Sequence, residues 1–288
     1  MPQNNKDWLV ETEWLAEHLD APDLVILDGS WHVPNGERNA QREYLQGHIP
    51  GALLFDIDDI ADTDSPLPHM LPSPEKFSSR MRKMGIGDGM RVVVYDAHGM
   101  FSAARVWWMF RTMGADDVAV LNGGLPKWVS EGRPLEEGPP RHRTERHFTA
   151  RRKAELVHDI ADVRDVLAAN SAQLVDARSP DRFAGTAPEP RQGMRTGHIP
   201  GSSNLHYEAL LNPDGTMKTP EQLRAIFDAS GLDLREPIVT TCGSGVTAAI
   251  VALALAMVGH RQASVYDGSW SEWGQVESLP IETGPAKA

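Results

Sequence analysis

An internal repeat constrains this chain more than any other feature. The motif Gly-His-Ile-Pro-Gly occupies residues 47–51 and recurs unchanged at residues 197–201. A short apolar run ending in aspartate precedes each copy, at 24–28 and at 174–176, and a helix-like stretch that opens at a proline follows each copy. Because repeats of this kind mark duplicated structural units, we expect two versions of one domain.

The pattern of apolar segments predicts the fold class. Short apolar strands alternate with helical stretches in both halves, which is typical of a mainly parallel sheet with helices on both faces. A length of 288 residues suits two domains. We therefore predict an α/β protein with tandem domains at residues 1–137 and 154–288. Residues 138–153 are polar and lack periodicity, so they are predicted to form the linker.

Composition and charge exclude several classes of function. The formal net charge is −12, with 40 acidic against 28 basic residues, so nucleic acids and anionic membranes are not expected partners. A single cysteine cannot form an intramolecular disulfide or a cysteine-rich zinc site, and no metal site is predicted. The polar start at residues 1–9 lacks a secretory core, and no apolar run reaches the roughly 18 residues of a membrane span. We expect a cytoplasmic protein.

The duplication supplies an internal control. A feature present in both halves, such as His48 and His198, is expected to be structural, whereas a feature of one half is expected to be functional. Where the first half has Asp96, the second half has Cys242, the first residue of the turn Cys-Gly-Ser-Gly-Val-Thr at 242–247. A predicted strand precedes this cysteine and a helix follows it, so the thiol is expected at the carboxyl edge of a parallel sheet, where ligands bind.

Such a turn favours a charged sulfur. Successive main-chain N–H groups converge in a glycine-containing turn, and a helix N-terminus adds partial positive charge, so both favour the thiolate and a persulfide anion. We expect Gly243, Gly245, Val246 and Thr247 to form the binding site around Cys242, with Thr247 capping the helix or holding the surroundings of the sulfur. The alternative is a buried cysteine without reactivity.

Taken together, these residues resemble the tandem-domain rhodanese-like sulfurtransferases. The resemblance extends from about residue 8 to residue 280 and includes the repeated histidine turn, Arg-Val-Trp-Trp at 105–108 and the Cys242 turn. It implies two rhodanese-like domains, the first inactive with Asp96 at the cysteine position and the second catalytic. It implies no organic cofactor and no metal.

Within that family, the turn at 242–247 is most similar to that of 3-mercaptopyruvate sulfurtransferases. Thiosulfate enzymes tend to place arginine and lysine where this chain has Gly243 and Ser244. The resemblance also assigns Arg182 and Arg191 to the substrate's carboxylate and keto oxygen, which suits the two-point binding of guanidinium groups.

The same resemblance implies a proton relay of Ser244, His69 and Asp58. A hydroxyl coupled to an imidazole can move protons while a carbon–sulfur bond breaks. The three residues lie far apart in sequence and would have to meet across an interdomain cleft.

The expected reaction moves sulfur from 3-mercaptopyruvate, a small-molecule donor, to cyanide, a thiol or a thioredoxin-like protein through a Cys242 persulfide. A monomer is expected, because the fused domains already supply a cleft. Thiosulfate as donor is the first alternative, and a non-catalytic persulfide carrier or redox-sensing module is the second. A cysteine phosphatase would need an arginine in its loop, and residues 242–247 contain none.

Overall fold

The computed structural model describes residues 8–33 and 36–286. The polar residues 1–7, used above to argue against a secretory core, lie outside the described residues, as do residues 287–288 at the end of the predicted second domain. The chain divides into two compact units. Unit 1 comprises Met1–Ile60, Ser73–Arg152 and Pro213–Met217, and unit 2 comprises Ala61–Pro72, Lys153–Asn212 and Lys218–Ala288.

Unit 1 contains a five-stranded sheet. Its elements in chain order are β1 (Leu9–Val10), α1 (Thr12–Glu17), β2 (Leu24–Asp28), α2 (Ala40–Gln46), β3 (Leu53–Leu54), α3 (Pro74–Lys83), β4 (Arg91–Tyr95), α4 (Ala103–Thr112), β5 (Val118–Leu121) and α5 (Gly124–Ser130). The strands are parallel and lie in the order β1-β5-β4-β2-β3.

Unit 2 repeats this order. Its elements are β6 (Val157–His158), α6 (Ile160–Ala169), β7 (Gln173–Asp176), α7 (Pro180–Ala184), β8 (Ser203–Asn204), α8 (Pro220–Ala229), β9 (Ile238–Thr241), α9 (Ala248–Met257), β10 (Ala263–Tyr266) and α10 (Ser269–Trp273). The parallel strand order is β6-β10-β9-β7-β8. The predicted fold class is confirmed.

Sequence determines the central elements in simple ways. All five residues of β2 are buried, as expected for a strand covered on both faces of a parallel sheet. Ser73 and Thr219 accept main-chain hydrogen bonds at the starts of α3 and α8, each followed by a proline at the first helical position. Helix α9 is apolar around its whole circumference and is almost entirely buried.

The repeated histidine turn is structural in both units. His48 and His198 are buried, and Nδ1 of each lies 2.8 Å from a main-chain oxygen, of Tyr44 and Phe183 respectively. Each imidazole stacks on the ring of that same residue, at 3.9 Å and 3.7 Å between centroids. The expectation that these two histidines belong to the architecture agrees with this geometry.

The predicted linker, residues 138–153, contains neither helix nor strand. Its later part follows the surface of unit 1. The Asp88 amide donates to the His147 carbonyl at 2.9 Å, the Arg151 amide donates to the Met113 carbonyl at 2.8 Å, and the Phe148 side chain is buried. No helix among the described residues has the length and apolar character needed to cross a membrane.

Candidate active site

The candidate site is the turn between β9 and α9, residues 242–247. Cys242 directly follows the last residue of β9, and α9 begins at Ala248. Gly245 takes the left-handed conformation, with φ of +75°, which a side chain would disfavour. The turn therefore lies at the carboxyl edge of the unit 2 sheet, as the sequence predicts. Cys242 is 2% exposed, so it is buried within this turn.

Of the two roles predicted for Thr247, the helix cap is wrong, and holding the surroundings of the sulfur stays a prediction. Thr247 is the residue before α9, but its side chain makes no capping hydrogen bond. Its backbone is already close to helical, with φ of −77° and ψ of −19°, whereas a side-chain cap normally requires extended backbone at this position. The turn enters the helix without the change of direction that capping accompanies.

Four main-chain donors of this turn have no acceptor among the described residues. In the part of the chain that the structure describes, no atom accepts a hydrogen bond from the N–H groups of Gly243, Ser244, Val246 or Thr247. Buried N–H groups are nearly always bonded in folded proteins, so a cluster of unbonded donors beside a cysteine indicates a site for an anionic group.

Unit 1 shows the same turn with its donors satisfied. Asp96 follows β4 as Cys242 follows β9, and its side chain is fully buried. Its carboxylate accepts from the N–H groups of His98, Phe101 and Ala103 at 2.8, 2.7 and 2.9 Å. This turn therefore binds an anion that its own chain supplies.

Arg182 lies over the Cys242 turn. A Cβ added to Gly243 would lie 3.0 Å from Nη2 of Arg182, so the guanidinium packs on the open face of that glycine. Arg182 is on the short helix α7, and its side chain is a quarter exposed. The predicted substrate arginine thus contacts the residue after the cysteine.

A buried carboxylate fixes Arg182. Glu189, whose side chain is 2% exposed, accepts from Nη2 of Arg182 at 2.5 Å and from Nη1 of Arg178 at 2.7 Å. Arg178 binds the Asp176 carboxylate through Nε and Nη2, at 2.6 Å for the shortest contact, and its guanidinium lies 4.4 Å from the Trp270 ring centroid. Burial alone would lower the pKa of Arg178, but Asp176 and Glu189 raise it above its usual value. Two buried carboxyl groups therefore hold two guanidinium groups in one hydrogen-bonded network.

Arg191 brings together Ser244 and His69. Its Nη2 lies 3.4 Å from Ser244 Oγ and 3.5 Å from His69 Nε2. An arginine only donates, so this contact is a hydrogen bond where Nε2 of His69 has a lone pair. His69 is 5% exposed and takes a left-handed backbone conformation, with φ of 58°. Such strain in a residue other than glycine is frequent at functional sites.

Asp58, the third predicted member of the relay, belongs to unit 1. There the indole N–H of Trp31 donates to its carboxylate at 2.9 Å, and the Asp58 amide donates to Asp56. Within unit 2, the described contacts join Ser244 to His69 only through the Arg191 guanidinium. The complete relay stays a prediction.

Sequence reasoning missed four residues of this region. Glu189 holds Arg182 and accepts from Arg178 as well, while Ser269 and Ser271 hydrogen-bond the Cys242 turn from α10. A signal existed for Glu189, because the sequence Pro-Glu-Pro-Arg at 188–191 has no counterpart in the first half. No group of histidine, cysteine or carboxylate side chains able to hold a metal occurs among residues 8–33 and 36–286.

Comparisons with known proteins show which family the chain is similar to. The family profile described as "Rhodanese-like domain" matches residues 11–131 and 159–275. The chain is 46% identical to the 3-mercaptopyruvate sulfurtransferase of Escherichia coli, over 96% of this chain and 98% of that protein. It is 44% identical to the thiosulfate sulfurtransferase of Cricetulus griseus, over 96% and 94%. The crystal structure of SseA from Escherichia coli, a 3-mercaptopyruvate sulfotransferase, superimposes with a TM-score of 0.84 at 44% identity, covering 92% of this chain and all of SseA.

Proposed function

The chain belongs to the rhodanese-like family, and from this membership we propose that it is a 3-mercaptopyruvate sulfurtransferase that carries sulfur on Cys242. The observation that carries the proposal is the convergence of two arginines on the Cys242 turn. Arg182 packs on Gly243, and Arg191 lies beside Ser244. A donor with a carboxylate and a neighbouring keto oxygen matches two guanidinium groups beside a nucleophile.

In the proposed reaction the thiolate of Cys242 attacks the sulfur of the bound donor. The carbon–sulfur bond breaks, its electron pair passes to the enolate of pyruvate, and the proton of the donor thiol ends on the methyl carbon of pyruvate. A persulfide anion remains on Cys242. The unbonded N–H groups of the turn would stabilise its terminal sulfur, as oxyanion-hole donors stabilise a developing charge.

Ser244, Arg191 and His69 have a role in the proton step. His69 with a lone pair on Nε2 accepts the proton through or beside Ser244 and returns it to the enolate carbon. Asp58 would orient the imidazole, as the relay predicted from the sequence requires. In the second half-reaction, cyanide, a thiol or a reduced thioredoxin-like protein attacks the terminal sulfur and regenerates the thiolate.

We also propose that the protein is a cytoplasmic monomer, because its net charge of −12 favours a free, dispersed protein and the duplication supplies two domains in one chain. Sedimentation at micromolar concentration tests the monomer directly. A dimer that persists on dilution would contradict it.

The decisive experiment compares kcat/KM for 3-mercaptopyruvate and thiosulfate in the parent protein and in Arg191→Ala. We expect the parent to prefer 3-mercaptopyruvate, and the variant to lose about 10- to 100-fold with that donor and less with thiosulfate, because only one donor has a carboxylate. Mass spectrometry of the donor-treated protein should find one added sulfur atom on Cys242. Equal use of both donors, or full turnover by Cys242→Ser, would contradict the proposal.

Thiosulfate sulfurtransferase is the second candidate, favoured by the 44% identity to the Cricetulus griseus enzyme. The side chains after the cysteine argue for the first candidate, because Gly243 and Ser244 bring no positive charge for a dianion. A non-catalytic carrier is distinguished by turnover: it would react once and then stop.

A further inference from the structure

Helix α10 holds the Cys242 turn by its main chain, and a matching contact exists in unit 1. The Trp270 amide donates to the Cys242 carbonyl at 3.0 Å. The Leu125 amide of α5 donates to the Asp96 carbonyl, also at 3.0 Å. Since both units share this bond, it belongs to the architecture.

Two hydroxyl groups add contacts only in unit 2. Ser269 Oγ accepts from the Cys242 amide at 3.2 Å and donates to the Tyr266 carbonyl at 2.7 Å. Ser271 donates twice to the Gly243 carbonyl, through its amide at 2.8 Å and through Oγ at 2.6 Å. Three consecutive residues of α10 therefore bind three main-chain groups of the turn, the N–H and C=O of Cys242 and the C=O of Gly243.

The corresponding residues of unit 1 lack these groups. Counting back from the matching Trp128 and Trp273, Gly124 corresponds to Ser269 and Pro126 to Ser271. Glycine has no hydroxyl, and proline has neither a hydroxyl nor an amide proton. By the internal control of the duplication, the two serines belong to function rather than to architecture.

The backbone of Ser269 supports this conclusion. Its φ is 50°, close to the 53° of Gly124, so both residues occupy the left-handed region. Residues other than glycine are strained in this region. Unit 2 keeps a side chain at a position where glycine is the less strained choice.

Peptide geometry connects these bonds to the unbonded donors. In a planar trans peptide the C=O of one residue and the N–H of the next point in opposite directions. Because Trp270 holds the Cys242 carbonyl, the Gly243 N–H points away from α10. Because Ser271 donates two hydrogen bonds to the Gly243 carbonyl, the Ser244 N–H also points away from α10. These are two of the N–H groups that no described atom accepts from.

We infer that Ser271, together with Ser269, is a positioning residue that orients the N–H groups of the Cys242 turn toward the transferred sulfur. The inference rests on the proposed function, because it assumes that a sulfur anion forms on Cys242. Neither serine touches the donor. They act by fixing two peptide planes, so that the donors are in place before negative charge develops.

The test exchanges residues between the two units. Ser271→Pro, whose proline has a counterpart in Pro126 of α5, should lower kcat with 3-mercaptopyruvate about 100-fold. Ser271→Ala keeps the amide and should lower kcat about 10-fold. KM should stay within about twofold in both, because Arg182 and Arg191 are untouched. Pro126→Ser is the matched control and should leave both constants unchanged.

Ser269→Gly separates positioning from stability. Glycine relieves the left-handed strain, so the midpoint of thermal unfolding should stay equal or rise while kcat and the rate of Cys242 alkylation by iodoacetamide fall. This variant also decides the case in which Ser271→Pro does not fold. A kcat within twofold of the parent in Ser269→Gly and Ser271→Ala would overturn the inference, as would a change confined to KM. Full turnover by Cys242→Ser would instead defeat the proposed function.

Discussion

Each unit has a turn after the matching strand, β4 or β9, and the two turns differ in the side chain that begins them. In unit 1 the Asp96 carboxylate occupies the turn and accepts three main-chain hydrogen bonds. In unit 2 the shorter Cys242 leaves four N–H groups without an acceptor among the described residues. The turn of unit 1 thus shows that its N–H groups hold an anionic group, and under the proposed function the N–H groups of unit 2 would hold one carried on sulfur.

A second contrast lies at the ends of β2 and β7. Asp28 and Asp176 occupy matching positions, and both are buried. Burial raises the pKa of Asp28, whose carboxylate accepts from the Ser30 amide but meets no cation in its described contacts. Asp176 instead pairs with Arg178, which stands at the position of Ser30. In unit 2 this carboxyl group is therefore part of the network that also contains Arg178, Glu189 and Arg182.

The largest effect is expected from emptying the turn of unit 1. Asp96→Ala leaves three N–H groups, one buried and two partly buried, without their acceptor and should lower the free energy of unfolding by roughly 3–6 kcal/mol. Urea denaturation followed by tryptophan fluorescence measures this loss. Asp96→Asn, which keeps one carbonyl oxygen, should lose about half as much. If Asp96→Ala costs under about 1 kcal/mol, the carboxylate does not hold the turn.

The second effect comes from the paired aspartates. Asp176→Asn should cost about 3 kcal/mol, because it strips a buried arginine of its main partner. Asp28→Asn should be neutral or stabilising at pH 7. Because the pKa of Asp28 is raised in the folded protein, its contribution to the free energy of unfolding is favourable below the unfolded pKa and is lost as the pH rises. Asparagine does not ionise, so the variant does not lose stability in this way. Unfolding curves at pH 5 and pH 7 for both variants test the sign, and equal losses would refute the contrast.

The third effect is on donor binding. Gly243→Ala would place a Cβ 3.0 Å from Arg182 Nη2 and displace the guanidinium, so KM for 3-mercaptopyruvate should rise about tenfold with little change in thermal stability. The residue at the same position in unit 1 is already Ala97, and Ala97→Gly is the control without effect. Steady-state kinetics of both variants decide the matter. An unchanged KM in Gly243→Ala would show that donor binding does not depend on the contact between Arg182 and Gly243.

The smallest effect concerns an exposed ion pair of unit 1. Arg38 binds Glu43 and lowers the pKa of that carboxyl group to about 2, against an ordinary value of 4.5. A lowered pKa gives stability that is present above the unfolded value and is lost as the pH falls toward 2. Arg38→Ala should cost no more than about 0.5 kcal/mol at pH 7, since both groups are solvated, and should flatten the acid limb of the stability curve. A loss of several kcal/mol would mean that this pair resembles the buried network of unit 2.

Much of the fold followed from local signals in the sequence. The run at 24–28 is β2, and the prolines at 74 and 220 begin α3 and α8 behind a capping hydroxyl. Cys242 emerged because the repeat allowed the chain to be compared with itself. These features depend on neighbouring residues or on spacing, which a sequence displays directly.

The rest depends on contacts between distant segments. Glu189 matters because folding buries it between Arg178 and Arg182, and nothing in its own neighbourhood sets that pairing. The bond from Ser271 to Gly243 spans the whole of α9 and β10. Thr247 was assigned a cap from its residue type, yet the backbone of the turn was already helical there. The conformational preferences of single residues do not predict such tertiary contacts.

The two units do not coincide with the two halves of the sequence. Each unit includes a segment from the other half of the sequence. Residues 61–72 belong to unit 2, and residues 213–217 belong to unit 1. A protein cut within residues 138–153 would give a C-terminal fragment that has Cys242 but lacks His69. Because each unit includes a segment from the other half of the sequence, neither half of the sequence alone supplies a complete unit.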